Sequence, residues 1–272
     1  MTLALSFSAC SKVEQGEPPK ESISSTINAN THSAVPNPTM NSKDDLNTII
    51  GILNEELKDM RDENLTHDEK VDITIKFTEN LAEFLRIKES TKLCDEDMQQ
   101  ALNHHIVAKT NVQNIDGVSV RIVRFDGLPE LFGTLERKWT YIQWWTDMEV
   151  HSQIIISRGA EVTVDYLFSK VKGIPTVILS GYRTIYKPYP VFLATWQLKD
   201  GEWKEVNLFS DNMVSNEIWN IEVNGKYMTI TSKNKEEQLT VRLNQQKDGF
   251  EVCADQNKKL KFKLQGEQII LQ

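Results

Sequence analysis

Phe192-Leu-Ala-Thr-Trp-Gln-Leu198, Asp200-Gly201 and Trp203-Lys-Glu-Val-Asn-Leu-Phe209 together decide the fold class. Two extended runs are joined by a dipeptide that tolerates positive φ, which is the signature of a tight β-hairpin. The pattern recurs at Asn224-Gly225 and Asp248-Gly249, so three glycines fall at a constant spacing of 24 residues. Each is followed by an aromatic residue: Trp203, Tyr227 and Phe250. Gln265-Gly266-Glu267 is a fourth turn. Working outward, period-two segments at Val118–Val123, Trp139–Trp145, Val150–Ser157, Glu161–Phe168 and Pro175–Gly181 read as further strands. Ile218–Val223, Tyr227–Thr231, Leu239–Leu243, Phe250–Cys253, Leu260–Leu264 and Gln268–Leu271 complete the set. The short connections favour antiparallel neighbours, because a parallel crossover needs a dozen or more residues. A closed propeller needs at least ~4 blades, more than this segment supplies. The expected body, residues 116–272, is an antiparallel β meander folded as a sandwich or a partly closed barrel.

Residues 43–110 read as helical, which makes the fold class α+β. Ser42-Lys-Asp-Asp45 resembles a capping box and precedes Leu46, Ile49, Ile50, Leu53, Leu57 and Met60 at helical spacing. Thr66-His-Asp-Glu69 is a second capping box. Val71–Phe77 alternates like a strand, but the cap before it and the helical period of Leu81–Ile87 after it favour a helix. A third helix is expected from Asp95 to about Ala108, with Met98, Leu102 and Ile106 on one face. The alternative architecture is a smaller cone-shaped α+β module of helices and middle strands, with the last hairpins as an added sheet.

Charge and aromatic residues are segregated. The chain has 31 basic and 39 acidic side chains, a net charge of −8. Ser11 to Lys70 alone contains 6 basic and 12 acidic residues. All 6 Trp and all 6 Tyr lie between Trp139 and Tyr227. The acidic balance gives no support to nucleic-acid binding, which needs surplus Lys and Arg. No apolar run approaches the ~18–20 residues of a membrane-spanning helix.

The first ten residues, Met-Thr-Leu-Ala-Leu-Ser-Phe-Ser-Ala-Cys, form a small apolar block that ends in two small residues and Cys10. Phe7-Ser8-Ala9-Cys10 resembles the lipobox that closes a bacterial lipoprotein signal peptide. It departs from that pattern at Phe7, where Leu is usual, and in the absence of a basic residue before Lys12. The expectation is that residues 1–9 are a signal-peptide remnant whose basic leader lies upstream of Met1. The resemblance implies a lipid-bearing (palmitate-type) Cys10, membrane anchorage and an extracytoplasmic location. Ser11–Ser42 holds 17 Ser, Thr, Asn or Pro among 32 residues and no Phe, Trp or Tyr. Such a stretch buries too little apolar surface to offset ordering entropy, so 10–42 is expected to be a disordered tether.

Catalytic signatures are scarce. The sequence has no G-x-S-x-G, P-loop, G-x-G-x-x-G or H-E-x-x-H motif, and no cofactor is expected. Ser169-Lys-Val-Lys172 and Ser232-Lys-Asn-Lys235 match S-x-x-K by letters but fall in or beside strands. Adjacent His104 and His105 point ~100° apart on a helix and do not chelate one metal. Cys94 and Cys253 are the candidate disulfide, with two free buried thiols as the alternative. Asp147 and Glu149 beside Trp139–Trp145 are the candidate acid–base pair of a glycan hydrolase, although Trp145-Thr-Asp-Met-Glu149 also reads as a solvated turn. Asp126, Glu130 and Glu136 are weaker candidates of the same kind. Tyr182, Tyr186 and Tyr189 in a proline-containing loop, with Trp144 and Trp145, are the candidate binding aromatics for a glycan or an envelope protein. The leading expectation is a non-catalytic binding or structural module at the cell envelope. An assembly or inhibitor subunit acting through the acidic first helix (Asp44, Asp45, Glu55, Glu56, Asp59) is a further alternative.

Overall fold

The computed structural model describes residues 43–103, 106–115, 117–127, 138–156, 161–184, 189–234, 236–254 and 258–272. Cys10, Ser42, His104, His105, Glu130, Glu136 and Tyr186 lie outside them. Among the described residues, three α-helices precede fourteen strands arranged in three antiparallel sheets, none closed into a barrel.

The helices are α1 (Lys43–Asp59), α2 (His67–Arg86) and α3 (Asp95–Ala101), with a short 3-10 helix at Lys88–Lys92. In α1, Leu46, Ile49, Leu53 and Leu57 form the buried stripe. The Thr66 capping box closes as expected: Glu69 N donates to Thr66 Oγ1 (3.3 Å), and Thr66 N donates to Glu69 Oε2 (2.8 Å). The cap fixes Val71–Phe77 as helix, so Phe77, Leu81, Phe84 and Leu85 share one buried face. The third helix ends earlier than expected. Asn103 adopts φ 51°, a left-handed stop, and Ile106 already begins a strand.

The first sheet has the order β1 (Ile106–Ile115), β2 (Val118–Gly127), β3 (Lys138–Trp145), β4 (Val150–Ile156). The middle sheet has β5 (Glu161–Val171), β6 (Ile174–Arg183), β7 (Val191–Lys199), β10 (Tyr227–Ser232) and β9 (Trp219–Asn224) in that order. Short β8 (Glu202–Glu205) takes the remaining length of β7 beside β10. The outer sheet is β11 (Thr240–Leu243), β12 (Gly249–Cys253), β13 (Lys259–Gln265) and β14 (Gln268–Leu271).

Alternation of side chains stacks these elements into four layers. Val123, Phe125, Trp139 and Tyr141 of the first sheet pack on the helices. Val120, Ile122, Ile142 and Trp144 of its other face pack on Val177, Leu179, Phe192 and Trp196 of the middle sheet. Ile178, Leu193, Met228 and Ile230, on the far face of the middle sheet, pack on Val241, Phe250, Val252 and Phe262 of the outer sheet. The order is therefore helices, first sheet, middle sheet, outer sheet. It explains why Trp139–Trp145 is apolar on both faces.

The hairpin turns follow their sequence in part. Asp200 and Gly201 have φ of 53° and 79°, and Gly225 and Gly266 have φ of 57° and 60°. At Asp248-Gly249 the expectation fails, because the positive φ falls on Lys247 (55°) and Gly249 opens β12. Gly249 is there for close approach, since a Cβ would meet Phe262 O at 1.9 Å.

One helix contact carries an electrostatic cost. Glu56 Oε1 accepts from Asn80 Nδ2 (2.7 Å), while Oε2 is buried without a partner among the described residues. Burial raises the Glu56 carboxyl above its ordinary 4.5, against the lowering effect of Asn80 and Lys76. The folded state thus holds this proton to higher pH than the unfolded chain. Its contribution is fully present below 4.5 and is lost as pH rises through the raised folded value. Glu56→Gln is expected to raise Tm at pH 7 and to leave it unchanged near pH 4. Melting curves at the two pH values test this, and an equal shift at both would assign the effect to packing.

Candidate functional site

The β3–β4 hairpin presents the carboxylate candidates. Its turn closes through Thr146 N to Glu149 O (3.0 Å), and Thr146 Oγ1 accepts from Met148 N and Glu149 N, both at 3.3 Å. Asp147, Met148 and Glu149 all point into solvent, with Met148 86% exposed. Lys88 Nζ donates to Asp147 O (3.1 Å) and ties the turn to the helical layer. Glu149 Oε2 lies 3.2 Å from His151 Nε2, and the His151 ring stacks on Trp144 at 5.2 Å and 17°. Trp144 in turn meets the edge of Trp203 at 6.4 Å and 82°. His151 and Trp203 thus flank Trp144, which is only 6% exposed. Asp126 pairs through its backbone with Lys138 and does not join this turn in sequence or pairing.

The structure brings two of the three loop tyrosines together. Tyr182, at the end of β6, stacks on Tyr189 at 6.2 Å and 22°, and both are half-buried. Arg183 N donates to Pro190 O (2.9 Å), which closes the base of the loop that carries Tyr186 in sequence. Beside this base, cross-strand pairing sets Glu161 opposite Arg183. Glu161 is 2% exposed, and both its oxygens are used. Oε1 accepts from Arg183 Nε and Oε2 from the Tyr227 hydroxyl, each at 3.1 Å. The Arg183 guanidinium also lies 5.4 Å from the Tyr227 ring centre, and Lys226 Nζ lies 5.1 Å from it on the adjoining turn. A carboxylate so enclosed is tolerable because cation and phenol both satisfy it. These three residues lie far apart in sequence, so no local signal announces them.

A second polar cluster fixes the helices on the first sheet. Arg121 is 1% exposed; it donates from Nη1 to Leu93 O (3.0 Å), from Nη2 to Ser90 O (2.8 Å) and from Nε to Gln143 Oε1. Gln143 Nε2 donates to Ser90 Oγ (3.0 Å) and to Leu85 O. The guanidinium also lies 5.7 Å from the ring centre of Trp145.

Cys94 and Cys253 are both free, the first exposed and the second half-buried, so neither is the buried thiol that was one expectation. Cys94 caps α3. A backbone hydrogen bond at Asp97 favours its thiolate, but the Asp97 and Glu96 carboxylates together outweigh this and leave the thiol above its ordinary value. That is the opposite of an activated nucleophile. Among the described residues, no three His, Cys, Asp or Glu side chains group in a way that could hold a metal ion.

Five tryptophans are 1–6% exposed, and Trp145 is the one partly open to water. Iodide is therefore expected to quench a single minor component of the fluorescence, and Trp145→Phe is expected to abolish it. Quenching that survives this substitution would place a second indole at the surface.

No protein-family model and no curated protein matches the chain.

Proposed function

We propose that the chain is an extracytoplasmic lipoprotein, anchored at Cys10 and tethered by residues 11–42, whose folded body is a non-catalytic binding module for an envelope glycan. The observation that carries the binding reading is the Tyr182–Tyr189 stack, which leaves two part-exposed rings side by side at a loop base. The loop base is braced by the Arg183 N–H to Pro190 carbonyl bond and stands beside the buried Glu161–Arg183–Tyr227 unit. Paired rings suit the apolar faces of sugars, and rings already stacked on each other lose little entropy when they bind. Anchorage rests on the lipobox resemblance and on the polar composition of the segment that follows it.

Two measurements test the two halves of this reading. Cys10→Ser is expected to move the protein from the salt-washed membrane fraction to the soluble fraction, and unchanged fractionation would sink the anchor. Tyr189→Ala is expected to weaken co-sedimentation with purified peptidoglycan about tenfold, the effect of ~1.4 kcal/mol, with no loss of fold. Retention equal to wild type would remove the tyrosines from the site. A hydrolase acting through Asp147 and Glu149 gives a different result: the wild type releases soluble fragments from the same peptidoglycan, and Glu149→Gln does not.

A second reading has its own support. Residues 43–103, the helical layer, carry 8 basic and 16 acidic side chains, a charge equal to that of the whole chain. A basic protein partner docking on α1 and α2 would be released as ionic strength rises past the point where the ~8–10 Å Debye length shortens.

A further inference from the structure

The outer sheet forms the pole of the molecule opposite this acidic layer. On β13, Lys259, Lys261 and Lys263 alternate with Leu260, Phe262 and Leu264. Leu260 and Phe262 belong to the core and Leu264 packs against it, so the lysines share the outward face. Lys261 stands opposite Glu251 on β12, and Glu251 stands opposite Arg242 on β11. The four strands of this sheet contain four cations and one carboxylate. Arg242 is bonded to Glu251 (2.9 Å) and Lys263 to Asp248 (2.7 Å). Lys259 and Lys261 are exposed and make no ion pair among the described residues. Their field is felt on the face itself. The Glu251 carboxyl lies below its ordinary value through Arg242 first, with Lys259 and Lys261 adding to the effect.

We propose that this outer face docks on an anionic phospholipid bilayer. The location rests on the lipid-anchored reading above; the orientation rests on charge alone. An anionic surface repels the helical pole and attracts the outer sheet, so a tethered body turns with β13 toward the bilayer and α1 and α2 away from it.

The test uses the chain from Ser11, which lacks Cys10 and retains the whole compact body Thr39–Gln272. Any membrane affinity it shows is independent of lipidation. It is expected to sediment with vesicles containing phosphatidylglycerol, to be released by salt, and to ignore vesicles of phosphatidylcholine alone. A Lys near an anionic bilayer contributes about fivefold to binding. Lys259→Gln with Lys261→Gln is therefore expected to weaken binding about 25-fold with an unchanged melting curve. Lys58→Gln on α1 serves as the control and is expected to change nothing. Unchanged binding in the double variant, equal binding to both vesicle types, or no binding to either overturns the proposal. Sedimentation without vesicles overturns it too, and makes the acidic helical layer of a second copy the occupant. Failure of the anchor shows separately, as Cys10→Ser leaving the fractionation of salt-washed membranes unchanged.

Discussion

Arg121→Met is expected to lower unfolding stability by about 3–5 kcal/mol, the scale of stripping several enclosed acceptors of a charged donor. The guanidinium has no water to fall back on. Burial pulls its pKa down to about 10, partly offset by the field of Asp95, so it remains charged at neutral pH. It is satisfied by the carbonyls of Ser90 and Leu93 and by the Gln143 amide oxygen. Methionine fills much of the same volume but donates nothing, so two buried acceptors and the half-buried Leu93 carbonyl lose their donor at once. Each loss costs on the order of 1–3 kcal/mol. Arg121→Lys recovers only part of this, because an ammonium does not reproduce the flat fork that spans two carbonyls. Urea titrations at constant m-value measure the change. The sharper test is a cycle with Gln143→Leu. If the cluster acts as a unit, the double variant costs less than the sum of the two singles by about 1–3 kcal/mol. Strict additivity would show that the two side chains act independently.

Face membership in this region was readable in the sequence, whereas the cluster was not. Strand alternation puts Trp139, Tyr141, Gln143 and Trp145 on one face, and the structure turns that face to the helices. A glutamine in an otherwise aromatic face signals a buried polar partner, but the partner arrives from Ser90, 53 residues away. The same limit hid the Glu161–Arg183–Tyr227 unit, whose hydrogen bonds span 22 and 66 residues. Local chemistry was more legible. The Thr66 cap decided helix over strand for Val71–Phe77, and the Asp200-Gly201, Asn224-Gly225 and Gly266 turns formed where expected. β1 was missed because its polar run, Lys-Thr-Asn-Val-Gln-Asn, lacks apolar alternation. The Gly117 turn behind it (φ 80°), held by Asn114 Oδ1, was the available signal. Lys172-Gly173, with φ of 55° and 75°, is a further turn that lengthens β5 and β6 beyond their apolar cores. Layer order was beyond local reading, since each core strand is apolar on both sides and periodicity does not say which neighbour takes which face.

Gly181→Ala is expected to destabilise the protein severely although it adds a single methyl group. Gly181 lies near the end of β6 and pairs with Thr163 on β5 and with Phe192 on β7, so its strand has a neighbour on each side. A Cβ there would lie 2.0 Å from Val162 O and 2.9 Å from two carbons of the Phe192 ring. The carbonyl belongs to the strand just before a bulge, where the register shifts between Thr163 and Asp165. The bulge and the glycine are therefore one device, since a shifted strand presses its backbone where a side chain would stand. Ordinary overpacking costs about 1–3 kcal/mol because neighbouring side chains give way. Here the obstacle is backbone, and moving it separates β5 from β6 while both faces of the sheet are packed. The expected loss is at least about 3 kcal/mol, seen as a lowered urea midpoint or as insoluble protein. Two companions keep the result interpretable. Phe192→Leu combined with Gly181→Ala frees the ring but not the carbonyl, so it is not expected to rescue the fold. Gly173→Ala adds a Cβ in open space at φ 75°, and is expected to cost only the ~1–2 kcal/mol of a left-handed alanine. A Gly181→Ala protein as stable as Gly173→Ala would mean that β5 and β6 do not approach as closely as the register requires.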